Sequence, residues 1–179
     1  MKFEELKDDR LDAVKEIYEE AFPKKERKPF RSIKKTLKKG TAKIYTVCED
    51  GNVMGFAMTI PHKNNVLVDY LAVSHQFRDR GTGTFLLKEL ERELQGKKIA
   101  LLIERPDEMS INAEQRISRR KFYLRNGFVS DDVFVTGKSG DMEVMEHGGK
   151  VSGEEFLELM RCSLGNRMFK ISGMRIAEG

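Results

Sequence analysis

A mixed α/β chain is the fold class this sequence predicts, and three observations predict it. Runs with two-residue alternation and runs with helical spacing succeed one another along the chain. One of them, Val66 to Val73, leads into a glycine-bearing loop that opens a helix, with Leu86, Leu87, Leu90 and Leu94 on one face. Another, Ile99 to Ile103, is apolar throughout, as expected of a central strand covered on both sides. At 179 residues the chain has the size of one domain. Residues 1–164 carry these signals, whereas no clear period runs from Gly165 onward, so 165–179 is expected to be a loosely ordered tail.

Each element has its local reason. Phe3 begins a short strand, and Asp9 predicts an N-cap for a helix with Leu11, Val14, Ile17, Tyr18 and Ala21 on one face, stopped by Pro23. Phe30, Ile33 and Leu37 fall at helical spacing in a second, short helix ending near Gly40. Ala42 to Cys48 and Val53 to Ile60 read as strands joined by a tight turn at Asp50-Gly51, with Pro61 closing the second. In Val66 to Val73, the face carrying Leu67, Leu71 and Val73 is broken only by Asp69. The helix after the loop starts near Gly83 and ends at Gly96, and Ile99 to Ile103 stops at Glu104.

Asp107 to Asn112 reads as a loop, and Ala113 to Asn126 as a helix that carries Ile117 and Leu124 inward. Gly127 suits the residue after that helix, with Phe128 supplying the apolar contact of its C-terminal cap. Phe128 to Thr136 and Asp141 to Met145 predict a strand pair across Gly137 to Gly140. Ser152 and Glu155 form a capping box ahead of Phe156, Leu159 and Met160.

Composition narrows the function. Hydrophobic residues at 39% suffice for a core, while charged residues at 35% indicate a well-solvated surface. Only Cys48 and Cys162 carry thiols, so a disulfide framework is not expected and a reducing, cytoplasmic setting is. The start Met-Lys-Phe-Glu-Glu lacks the apolar region of a signal peptide, and no run approaches the roughly 20 apolar residues that cross a bilayer. His62, His75 and His147 are scattered, so no metal site is expected. A net charge of +4 favours anionic partners. Nucleic-acid binding would rest on residues 24–39, where nine basic residues meet the single acid Glu26, but no aromatics alternate with them as a stacking platform requires. A solvated helix face explains that charge better.

The loop itself has the chemistry of a phosphate cradle. The first amides of a helix lack intrahelical acceptors and sit at the positive end of its dipole. Gly81 and Gly83 remove Cβ atoms that would hold an anion away, and Arg78 and Arg80 add charge beside Asp79, Thr82 and Thr84. A Walker loop is excluded, because no glycine stands at the required distance before a Gly-Lys-Ser/Thr. A dinucleotide fingerprint is excluded by Leu86 at its third small position.

Arg78-x-x-Gly81-x-Gly83 after Tyr70-Leu71-Ala72-Val73 resembles the acetyl-CoA loop of the GNAT superfamily of N-acetyltransferases. Phe122-Tyr123 followed by Gly127-Phe128 resembles the helix-to-strand segment of the same superfamily. The resemblance implies a mixed, mostly antiparallel central sheet with a splayed parallel pair and helices on both faces. It implies acetyl-CoA as co-substrate, without a metal, and an amine acceptor. Pantetheine would meet the edge groups of Leu71, Ala72 and Val73, and the diphosphate the amides of residues 78–84. Tyr123 matches the position whose phenol protonates the departing thiolate, and Glu26, Arg27 and Phe30 fall where the acceptor pocket is walled. Arg116 and Arg119 replace the Asn and the small residue that many relatives carry before the tyrosine. A monomer or homodimer without membrane or nucleic-acid partners is expected, and a catalytically silent CoA-binding module is the other reading.

Acetyl transfer to an amine needs a base, because an ammonium is unreactive until deprotonated. Glu104, a lone acid at the C-terminal end of an apolar strand, is either that base or a residue that simply starts the loop or pairs with Arg120. Asp69 is either a second acid at the crevice or bonded to neighbouring structure, and Tyr123 is either the acid or a packed aromatic beside Phe122.

Overall fold

A computed structural model describes residues 1–177. Hydrogen bonding links eight strands in the order β1-β2-β3-β4-β5-β7-β6-β8, mostly antiparallel with β4 and β5 parallel, interleaved with helices. This is the mixed α/β class that the sequence predicts. The chain divides into two compact units, Met1–Ile60 with Asp69–Leu94, and Pro61–Val68 with Gln95–Gly179, and β4 runs through both.

The first unit holds β1 (Lys2–Glu5), α1 (Leu11–Ala21), α2 (Phe30–Lys38), β2 (Lys43–Glu49), most of β3 (Asn52–His62), the C-terminal part of β4 (Asn65–Val73) and α3 (Thr82–Glu93). Strand β2 pairs antiparallel with β1 and with β3, and the register shifts between Val47 and Cys48. Asp50 (φ 50°) and Gly51 (φ 82°) are both left-handed, which makes the β2–β3 turn the two-residue kind that matches strand twist. Val14, Ile17 and Tyr18 of α1 are buried, as are Ile33 of α2 and Leu86, Leu87 and Leu90 of α3.

Two expectations fail along these elements. Asp9 does not cap α1: it lies inside a 3₁₀ turn, Asp8–Arg10, and Arg10 occupies the cap without a side-chain bond. The turn makes the entry, and no side chain bonds the first amides at the cap. Pro61 does not end β3, which continues to His62; the pairing with β2 stops at Lys43↔Thr59, so the missing N–H breaks no bond to β2.

Gly55 holds β3 close to the end of β4. A Cβ there would stand 2.7 Å from the Ala72 carbonyl oxygen, a backbone atom with nowhere to go. Gly55→Val should therefore destabilise the protein by about 1–3 kcal/mol, read as a lowered urea midpoint. An unchanged midpoint would mean that the two strands separate there freely.

The second unit holds the start of β4, β5 (Lys98–Glu104), α4 (Ala113–Arg125), β6 (Phe134–Thr136), β7 (Met142–His147), α5 (Gly153–Leu164), α6 (Asn166–Ser172) and β8 (Arg175–Ile176). The parallel pairing runs from Asn65↔Lys98 to Val68↔Leu101. Strand β7 pairs antiparallel with β5 and β6, and β8 adds to β6. Ile99, Leu101, Ile103, Phe128, Met145, Phe156 and Leu159 are buried.

Helix α4 ends as its sequence predicts. The Gly127 N–H donates to the Leu124 carbonyl (3.2 Å), the Phe128 N–H to that of Tyr123 (3.1 Å), and the Phe128 ring packs 5.6 Å from that of Tyr123. The inward face differs: Leu124 is 40% exposed, and Tyr123 is the buried residue. Phe128 to Val133 is not a strand but a single bridge, Val129↔Glu146, because the polar Ser130-Asp131-Asp132 turns the chain, with Asp132 at φ 55°. The Ser152–Glu155 capping box is present, and the Ser152 N–H, the Asn65 amide and Lys98 hold the Glu155 carboxyl at about 2, below its ordinary range. Of the expected tail, residues 166–172 form α6 and Arg175–Ile176 pair with β6, while residues 178–179 lie outside the described residues.

Candidate functional site

The loop between β4 and α3 is pinned at both ends. The N–H of buried Ser74 donates to the Met54 carbonyl (2.9 Å), which turns the chain into a 3₁₀ turn, His75–Phe77. The hydroxyl of buried Thr82 donates back to the Phe77 carbonyl (3.1 Å). Between these anchors Asp79 (φ 61°) and Gly81 (φ 77°) are left-handed. A Cβ on Gly81 would meet nothing within 4 Å, so conformation rather than space demands glycine.

Gly81 is the N-cap of α3 and offers its first amides no side-chain acceptor; the Phe85 N–H already donates to the Gly81 carbonyl (2.9 Å). The amides of Thr82, Gly83 and Thr84 thus open a twelve-residue helix at its positive end, which is the arrangement that accepts a phosphate. Arg80 lies over the Phe77 ring at 5.7 Å. Arg78 is half-exposed, with Nε 3.4 Å from the Val73 carbonyl and Nη2 3.8 Å from Glu20. Glu20 also accepts the His75 N–H (2.7 Å) and faces His75 Nδ1 at 3.0 Å. Burial would raise its carboxyl, but the two His75 bonds and Arg78 outweigh that and hold it below its ordinary range. Leu71, Ala72 and Val73 lie past the last β4–β5 pair at Val68.

Asp69 is bonded to neighbouring structure: Lys28 Nζ stands 2.5 Å from its Oδ2, and both side chains are largely buried. The Lys28 N–H donates to the Tyr70 hydroxyl (3.2 Å), and that hydroxyl donates to the Glu26 carbonyl (3.2 Å). Tyr18 donates to the Lys28 carbonyl (3.1 Å) and meets the Tyr70 ring edge-on at 4.8 Å. Burial pushes both phenols above their ordinary range, so they remain donors. Of the other residues expected to wall an acceptor, Arg27 donates to the Glu19 carbonyl (3.4 Å), and the Phe30 ring packs 5.8 Å from Tyr18. Sequence reasoning missed Lys28. An acid on an aliphatic strand face demanded a cation, but nine basic residues offered themselves and no spacing chose among them.

In the second unit, Glu104 does not meet Arg120. Its Oε1 accepts from Arg116 (3.0 Å) and its Oε2 from Asn112 (3.1 Å), with Arg119 at 3.7 Å. Arg116 is itself oriented by Asn112 (2.8 Å) and the Arg105 carbonyl (3.2 Å). Arg120 instead donates to both oxygens of Glu143 at 3.0 Å, because Glu143, 2% exposed on β7, cannot stay buried without a cation. The Tyr123 ring meets those of Phe122 (5.2 Å) and Phe128 (5.6 Å) edge-on. Burial pushes its phenol up to about 12, Arg119 opposing, and no described residue bonds its hydroxyl.

Among the described residues no cluster of three or more His, Cys, Asp or Glu could hold a metal ion, and no helix is long and apolar enough to cross a membrane.

The family model of the GNAT acetyltransferase domain matches residues 40–130. That span includes the loop, Glu104 and Tyr123. Similar solved structures include a protein assigned to the GNAT acetyltransferases of Bacteroides thetaiotaomicron, with TM-score 0.70 and 22% identity over 98% of this chain and 100% of that one. The ribosomal-protein-S18-alanine N-acetyltransferase of Escherichia coli aligns with TM-score 0.64 and 18% identity over 86% and 96%. An aminoglycoside 6′-N-acetyltransferase complexed with coenzyme A aligns with TM-score 0.67 and 15% identity over 85% and 100%. No curated protein sequence matches significantly.

Proposed function

Because the chain belongs to the GNAT acetyltransferase family, we propose that it transfers an acetyl group from acetyl-CoA directly to a primary amine. The observation that carries this reading is the N-terminal end of α3, opened by a left-handed Gly81 and flanked by Arg78 and Arg80. Amides there would hold the diphosphate of CoA without a metal, and the arginines would add charge to its phosphates. The coenzyme supplies a thioester whose acyl carbon is open to attack by an amine.

Tyr123 supplies the proton to the departing thiolate. Its phenol is buried, protonated at neutral pH and bonded to no described residue. Glu104 is the proposed base, acting through water, since both of its oxygens already accept hydrogen bonds from side chains that fix their direction. Asp69 has a positioning role through Lys28, which ties the segment carrying Glu26, Arg27 and Phe30 to β4, the segment proposed to border the amine.

Thiol release from acetyl-CoA in the presence of polyamines, amino sugars and peptides with free N-termini tests the proposal. Release that depends on one of these amines is the expected result; tight CoA binding without release for any amine would instead favour a silent CoA-binding module. With an active amine in hand, Glu104→Gln should lower kcat by about 100-fold. A kcat within threefold of the parent would remove Glu104 from proton transfer.

A further inference from the structure

The end of β3 and the outer face of α5 bring four groups together in the second unit, none of them given a role above. Cys162 Sγ lies 3.4 Å from His62 Nδ1, and His62 Nε2 lies 3.4 Å from Glu158 Oε2. Lys63 Nζ reaches the same carboxylate oxygen at 2.8 Å. Cys162 and Glu158 are four residues apart on α5, hence on one face, while His62 is delivered by the stretch of β3 that runs past Pro61. Cys162 is exposed, and the His62 and Glu158 side chains are 30% and 46% exposed, so a small solute reaches the sulfur. Cys48 is the contrast: it is buried, and its sulfur accepts from Arg10 at 3.0 Å.

A nucleophile, a base within reach and a third group that orients the base make up an activated-thiol arrangement. Glu158 beside Nε2 favours the tautomer with its proton there, which leaves the Nδ1 lone pair to take the thiol proton. The Lys63 ammonium, with His62 adding to it, holds the Glu158 carboxyl below its ordinary range and keeps it charged. Lys63 also interacts electrostatically with Cys162 itself.

We propose that Cys162 is a site of thiol–disulfide exchange, activated by His62 and taking the disulfide of a low-molecular-weight thiol. The Cys162 proton passes to His62 Nδ1, and the thiolate attacks one sulfur of the disulfide. A new sulfur–sulfur bond forms as the old one breaks, and the departing thiolate takes the proton from the imidazolium. Cys162 leaves oxidised in a mixed disulfide, and one equivalent of small thiol leaves reduced.

The test uses the full-length protein with 5,5′-dithiobis(2-nitrobenzoate), following the released aryl thiolate, and intact mass after incubation with oxidised glutathione. A fast phase and a single glutathione adduct are expected, both lost in Cys162→Ser and both kept in Cys48→Ser. His62→Gln should slow the fast phase at pH 7 by about tenfold. It should also change the pH profile, with the rate rising steadily through pH 8 where the parent protein's flattens. The charged groups acting on the thiol are His62 from the end of β3, Lys63 from the β3–β4 turn and Glu158 from α5, with Glu155 acting on Lys63. A Cys162 rate no greater than that of an unstructured cysteine peptide would overturn the proposal. So would a His62→Gln rate and profile within twofold of the parent's.

Discussion

Gly81→Asp should lower the affinity for acetyl-CoA by at least about 100-fold, roughly 2.7 kcal/mol. Two effects add. Gly81 sits at φ 77°, and an L side chain in that left-handed region costs about 1–2 kcal/mol. The new carboxylate would also stand at the positive end of α3, where the proposed diphosphate needs the amides of Thr82 to Thr84. Gly81→Ala separates the two: a Cβ there meets nothing within 4 Å, so alanine brings the strain alone and should cost about 1 kcal/mol. Isothermal titration of CoA into the three proteins measures this. A Gly81→Asp affinity within threefold of the parent's would move the diphosphate elsewhere and take the proposed cofactor site with it.

The second large effect is expected at Tyr123. Tyr123→Phe keeps the ring between Phe122 and Phe128 and removes only a hydroxyl that no described residue bonds, so folding stability should change by less than about 1 kcal/mol. If the phenol protonates the thiolate, kcat falls by about 100-fold while KM stays within a few-fold, the pattern of an interaction made in the transition state. Because burial pushes the phenol up to about 12, the acid is fully protonated below that range. Loss of its proton should therefore produce no decline in the parent's kcat between pH 7 and pH 10. An unchanged kcat in Tyr123→Phe would leave the residue a packing aromatic.

What the sequence determined by itself is what neighbouring residues can settle. A helix end, a hairpin turn and a cap are closed by bonds spanning two to five residues, so the Asp50-Gly51 turn, the Gly127-Phe128 ending, the Ser152–Glu155 box and the Arg78–Thr84 loop are all present where their residue types predict them. The element order as far as α5 follows from the same local chemistry. The failures among the elements are equally local: Asp9 was one of several polar residues able to start α1, and Pro61 ends a strand only where a partner needs its N–H.

The tertiary structure alone decided which charges meet. Lys28 reaches Asp69 across 41 residues, Arg120 takes buried Glu143 across 23, and Cys162 faces His62 across 100. A charge removed from water needs an opposite charge, but that requirement names a residue type and not a residue. The choice falls to whichever candidate the packed backbone carries within about 4 Å, and it is fixed when long-range strand pairing is complete. Glu104 shows both halves of this rule: its place at the end of β5 was legible from an apolar run that stops, while its partners Arg116 and Asn112 were set by how α4 begins.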